Sequence, residues 1–331
     1  MLFNIGFQQC FRTEYFLTDY IQKIGNFNVG YIDTVFAIEG YHDLYNFNQD
    51  QLNLAGSSNV ISKRRSQGHL VGEKRIYEFV FIPNSGFLNS NLPLMTNCEL
   101  KLSFDRLNAD HSMVQLTDKL SAPTDGKPLV IKDCVAIAEY IRSDELDNYF
   151  MKIDTTPITY NYEECDVTLR SLPLNEVNIR VDNIKGGLTP CCIFAGIIPS
   201  DNLAGNMKTS STAFTHRGVT DFNITLNGNS VNGYPIDIKN ELGIYPLQRF
   251  LDATSRYMNP VCGDSMRLLH FSYNWIYAHT FEAEVSEEGW LGIDIKLSAG
   301  YTTSHTLVIW CINDAAITID KFHQIEKVNL L

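Results

Sequence analysis

Apolar and polar positions alternate with a period of two over much of this chain after residue 74, the signature of strands with one buried face. Ile76-Tyr77-Glu78-Phe79-Val80-Phe81-Ile82 is rich in β-branched and aromatic residues and stops at Pro83. Leu100, Leu102 and Phe104 alternate with charged or hydroxyl neighbours, and Leu129 to Ile141 is a further apolar-rich segment. Val177, Ile179 and Val181 alternate with Asn178, Arg180 and Asp182. Cys191 to Ile198 is almost wholly apolar, as expected of a strand covered on both faces. Phe222, Ile224 and Leu226 run into Asn227-Gly228, a pair suited to a type I′ hairpin because both turn residues need positive φ. Ile293, Ile295 and Leu297 alternate again, and Thr306 to Ile312 and Ala316 to Ile319 predict two closing strands.

Helical spacing is rarer. Phe7, Cys10, Phe11, Leu17, Ile21 and Ile24, with Gly25 behind them, predict a short amphipathic helix closed by glycine. Pro246 predicts the start of a second helix with Leu247, Phe250, Leu251, Thr254 and Tyr257 on one face, ended before Pro260. Residues 46–73 read as loop, including the basic triplet Lys63-Arg64-Arg65, taken as solvated charge. Many short strands with few helices predict a mainly β, sandwich-type fold. The turn-rich stretch Ser121 to Pro128 suggests a boundary, giving domains 1–125 and 126–331.

Composition narrows the function. The chain has 331 residues, 44% of them hydrophobic, enough for a large core. Asp and Glu number 38 against 26 Lys and Arg, a net charge of −12. That balance argues against direct wrapping of nucleic acid, which needs clustered cations. No run of about 18 apolar residues is present for a membrane-spanning helix, and the start lacks the pattern of a secretory leader. Eight cysteines lack C-x-x-C spacing, and Cys165 and Cys311 fall in strand-like runs, so they read as small buried hydrophobes in an intracellular product.

Reactive chemistry is not evident. Phosphate, dinucleotide and nucleophile-elbow motifs are missing. His42, His69, His111, His216, His270, His279, His305 and His323 form no metal-ligand spacing. Glu163-Glu164 and Glu287-Glu288 read as solvated carboxylates in polar edges or turns. The sequon Asn223-Ile224-Thr225 lies inside a predicted strand and reads as coincidence. The expectation is no catalytic residue, no cofactor and no metal.

Three blocks carry a resemblance. They are Phe194 to Gly205, Phe222 to Val231 followed by Tyr234-Pro235, and Leu307-Val308-Ile309-Trp310 through Ala316 to Asp320. In order and spacing they resemble the C-terminal jelly roll of the major capsid proteins of Polintons (Mavericks) and adintoviruses. Phe87 to Leu94 and Cys98 to Phe104 resemble the last strands of that family's first jelly roll. The resemblance implies a double jelly roll and a homotrimer of pseudo-hexameric outline tiling an icosahedral virion shell. It implies neighbouring capsomers and penton or minor capsid proteins as partners. Only about 120 residues precede the boundary, so the first roll is expected to be partial or divergent, its opening strands missing, shortened or encoded upstream. Candidate contact regions are 200–218, 229–246 and the segment after 258, with Asn227 and Gly228 as fold determinants. The alternatives are a single jelly-roll penton or minor capsid protein, and a carbohydrate-binding β-sandwich, which needs exposed aromatics beside polar groups; Trp275, Trp290 and Trp310 are the only tryptophans, and Trp310 sits in an apolar strand.

Overall fold

The computed structural model describes residues 69–71, 74–76, 94, 143–154, 156–203, 214, 216–238, 243–255, 275–281, 288–322 and 324–329. The helix expected near the N-terminus, the strands expected at 100–104 and 129–141, and the boundary at 121–128 lie outside them.

Thirteen strands run through the described residues. A small hairpin pairs β1 (His69–Val71) with β2 (Lys74–Ile76). It corrects the expectation of loop up to residue 73. The body contains β3 (Ile158–Leu172), β4 (Asn178–Val181), β5 (Gly186–Leu188), β6 (Cys192–Pro199), β7 (Val219–Leu226), β8 (Asn229–Ser230) and β9 (Ile236–Asp237). It continues with β10 (Tyr277–Thr280), β11 (Glu288–Leu297), β12 (His305–Ile319) and β13 (Ile325–Asn329). Helices α1 (Asp144–Phe150), α2 (Ser200–Leu203) and α3 (Ile244–Ser255) complete it, with a 3₁₀ turn at Met151–Asp154.

The strands form two antiparallel sheets. In the first the order is β3–β12–β6–β10, with β13 continuing beside the end of β12. In the second the order is β4–β11–β7–β9, with β5 and β8 added at one end. The chain passes between the two sheets from β3 to β4, β5 to β6, β6 to β7, β9 to β10, β10 to β11 and β11 to β12. This interleaving of non-consecutive strands is the jelly-roll form of β-sandwich.

Side-chain alternation explains which residues meet between the sheets. Tyr277 of β10 stacks on Phe222 of β7, with ring centroids 3.7 Å apart and planes 2° from parallel. Tyr277 is in register with Ala195, which is in register with Ile309. Those residues therefore share the inner face, and their neighbours Phe194 and Trp310 point the other way. The outer face of the first sheet is itself covered. Phe214 packs edge-on against Trp310 at 5.4 Å, and Phe250 of α3 against Phe194 at 6.2 Å. A Cβ on Gly196 would lie 2.6 Å from the Phe214 ring, so glycine there lets the covering segment sit down on the sheet. With both faces covered, β6 is buried along nearly its whole length, as its continuous apolar run predicts.

Three readings change. The two closing strands are one: β12 runs unbroken through Asn313 and Asp314. Both polar residues find partners there: Asn313 donates to Asp166 at 3.1 Å and accepts from Lys185, while Asp314 accepts from the Cys191 thiol at 3.2 Å. Glu164 lies on β3, an edge strand among the described residues and a polar edge as expected, but is paired: it accepts from Lys327 at 2.6 Å. Helix α3 starts two residues before Pro246. The proline sits in its first turn, where backbone N–H groups have no partner within the helix and the missing donor costs little. Helix α1 was not foreseen. Its first turn carries Asp144, Glu145 and Asp147, charges that favour a helix N-terminus.

The expected type I′ hairpin is present. Asn227 has φ 52° and Gly228 φ 80°, and Asn227 Oδ1 accepts the Trp290 N–H at 3.1 Å. Gly228→Val should destabilise by about 1–2 kcal/mol, because a side chain disfavours this left-handed backbone. Asn227→Gly keeps the conformation and should cost about 1 kcal/mol, one hydrogen bond. Urea denaturation midpoints of the two variants check the ranking.

Candidate functional site

The described parts of the regions expected to make contacts bury several side chains. In 200–218, α2 buries Asn202, and Phe214 is 2% exposed in the core. In 229–246, Tyr234, Ile236 and Ile238 face inward, and the Tyr234 hydroxyl donates to the Ala278 carbonyl at 2.9 Å. Besides exposed polar residues such as Asn229, Asn232 and Asp237, the surface there carries Ile244 at 62% exposure and Tyr245, whose hydroxyl donates to Gly233 O and accepts from Arg249. Elsewhere, Val167 and Leu169 of β3 are half exposed. They are in register with buried Trp310 and Val308, but β3 lies at the margin of the sheet, paired among the described residues with β12 alone. The segment after 258 is outside the described residues up to Trp275.

His216, His279, His305, Cys165 and Cys311 take structural places. His279 is buried against the rings of Tyr234 and Phe281 at 5.7 and 4.7 Å. Burial, with a smaller contribution from the Arg249 cation, pushes its pKa down to about 4. His305 stacks on Tyr301 at 4.0 Å, and its ring is likewise held down by burial. His216 lies edge-on to Trp275 at 4.6 Å, its Nδ1 accepting the Gly218 N–H. Burial raises Cys165 to about 12 and Cys311 to about 11, so both thiols stay protonated and unreactive at neutral pH. Among the described residues no three His, Cys, Asp or Glu side chains are grouped to hold a metal ion. Asn223 of the sequon donates to Asp294 from the middle of β7, and its partner Thr225 is buried.

The outer face of the second sheet is different in kind. Along β11, Leu291, Ile293, Ile295 and Leu297 face the core, so Trp290, Gly292, Asp294 and Lys296 face away. Register places Arg180 beside Asp294 on one side and Asn223 on the other, and Asp221 beside Lys296. Arg180 holds Asp182 at 2.9 Å and approaches Asp294 at 3.8 Å. Asn178, Arg180, Asp221, Asp294 and Lys296 line an open groove of about 330 Å³. Asp221 is pushed up by burial and then by the Asp237 charge. Trp290, 49% exposed, stands on the same face beyond Gly292, while Trp275 and Trp310 are 1% exposed.

The described sandwich defines the class: a mainly β protein of jelly-roll architecture. No protein-family model matches the chain, and no curated protein matches it. Solved viral structures are similar to it in part. A chain of the Sputnik virophage, seen by cryo-EM, is 12% identical, with 52% of this chain and 39% of that chain covered and a TM-score of 0.33. PBCV-1 VP54, fitted into a reconstruction of Sputnik, is 9% identical over 58% and 55% of the two chains, with a TM-score of 0.38. The mavirus major capsid protein is 9% identical over 53% and 42%, with a TM-score of 0.30. The matched region thus spans about half or less of each of those chains. Among the described residues no helix is long and apolar enough to cross a membrane.

Proposed function

We propose that this chain is a non-enzymatic wall subunit of a virion: a major capsid protein of the Polinton or adintovirus type. In this reading three chains associate into a pseudo-hexameric capsomer of an icosahedral shell. Residues 1–125 form or complete a first, partial or divergent roll and residues 126–331 the second. The chain is made inside the host cell, needs no cofactor and leaves the genome to other proteins.

The observation that carries the reading is the placement of the three family-like blocks. Phe194 to Gly205 opens within β6 and runs through α2; Phe222 to Pro235 spans β7, its hairpin and the approach to β9; Leu307 to Asp320 covers most of β12. These are interlocked strands of one sandwich, not scattered surface segments. A wall element requires rigidity, and two close-packed sheets with a covered outer face supply it. Threefold assembly demands that one surface fit a different surface of the neighbour. Exposed Ile244 and Tyr245, in a region expected to make contacts, are suited to that role.

Light scattering of the full chain tests this. A trimer, about three times the 37.5 kDa of one chain, is expected, with shell fragments by electron microscopy on co-expression with a penton protein. A monomer at every concentration would refute it. A pentamer would favour the single-roll penton reading, which the one sandwich among the described residues also accommodates.

A further inference from the structure

The groove across β4, β11 and β7 has the features of a sugar-binding strip, and we infer that this outer face, with Trp290 as its platform, binds a neutral oligosaccharide. The inference does not rest on assembly.

Four observations converge. Trp290 is the exposed tryptophan, and the residue in register with it on β5 is Gly186, where an added Cβ would meet nothing within 4 Å. The space beside Trp290 on that strand is thus open, and an indole left open can take the C–H face of a sugar ring. Next along the strip is Gly292, which is buried. A Cβ there would meet Thr225 Oγ1 at 2.7 Å and Asp182 Oδ1 at 3.4 Å, so glycine lets these two polar groups close over the strand between Trp290 and Asp294. Beyond it the strip ends in hydroxyl-binding groups. Asp294 is an acceptor flanked by Arg180 and Asn223, and Lys296 and Asp221 follow one step further on. Four residues of strand separate Trp290 from Asp294, roughly 13 Å, the reach of a short oligosaccharide.

Charge selects among ligands. Arg180 is held by Asp182 and Asp294, and Lys296 faces Asp221, so the cations are already matched by carboxylates. An anionic sugar would meet these acids without a spare cation. A neutral sugar offers hydroxyls that donate to carboxylates and accept from Arg180 and Lys296.

The full chain is titrated with cellotriose, maltotriose and chitotriose, and with sialyllactose as the anionic comparison. Tryptophan fluorescence reports Trp290, since the other two indoles are buried. Saturation-transfer NMR on the sugar protons provides a readout independent of the fluorophore. At least one neutral trisaccharide should bind saturably, with sialyllactose weaker. Trp290→Ala should weaken NMR-detected binding about tenfold, equivalent to about 1.4 kcal/mol. Asp294→Ala should weaken it several-fold, and both variants should keep the wild-type circular dichroism spectrum. The inference is overturned by no saturable response to any neutral probe at about 10 mM, well into the millimolar range. Equal affinity in folded Trp290→Ala, or a preference for sialyllactose, overturns it as well.

Discussion

Phe222→Ala should be the most damaging single truncation in the described sandwich, costing about 3–5 kcal/mol. Phe222 is fully buried on β7 and touches both layers. It stacks on Tyr277 of the first sheet at 3.7 Å and lies 6.5 Å from the Tyr234 ring. Truncation removes the transfer free energy of the ring, leaves a cavity that two paired sheets cannot collapse to fill, and forfeits the stacking. Phe222→Leu fills much of that volume and should cost clearly less. For a unit of this size each kcal/mol moves the thermal midpoint by about 2–4 °C, so Phe222→Ala should melt roughly 10 °C below wild type. A loss under about 1 kcal/mol by urea denaturation would mean that Phe222 does not bridge the sheets.

Acid should destabilise the protein through His279. The folded ring titrates at about 4, against about 6.5 for a free histidine. As pH falls below 6.5 the unfolded chain takes up a proton that the folded chain refuses until about pH 4. Stability from this residue is therefore complete above 6.5 and lost between 6.5 and 4, about 3 kcal/mol in all. His305, also held down by burial, acts in the same direction. Asp221, raised by burial, opposes both in the carboxylate range. Between pH 7 and pH 5 the wild type should lose about 2 kcal/mol through His279. In His279→Phe, whose ring suits the pocket of Tyr234 and Phe281, that loss should largely vanish. Denaturant midpoints of the two proteins at both pH values decide it, and parallel slopes would refute the assignment.

Much of the described fold was legible because strand patterning is local. The alternation at Ile293, Ile295 and Leu297 names β11 and its buried face, and all three are 2% exposed or less. Asn227-Gly228 names its turn because backbone conformation there depends on two residues. Local patterning failed where polar residues were satisfied from far away. Asn313 and Asp314 read as a break between strands, yet Lys185, Asp166 and Cys191 hold them inside one continuous β12. Nor could alternation show that Val167 and Leu169 stay half exposed, since it says that a strand has an apolar face but not whether anything covers it.

The groove was the least legible feature. Its residues come from three strands between 178 and 296, each unremarkable alone, and Trp290 was only one of three tryptophans. Sequence by itself determined where β4, β6, β7 and β11 run, where the hairpin turns and that the fold is a β-sandwich, because those properties are set by residues close together in the chain. Tertiary structure alone decided which apolar faces are covered, which polar residues are paired, and which indole stands open beside a row of acids and cations. Those depend on register between strands more than a hundred residues apart, and no local pattern encodes that.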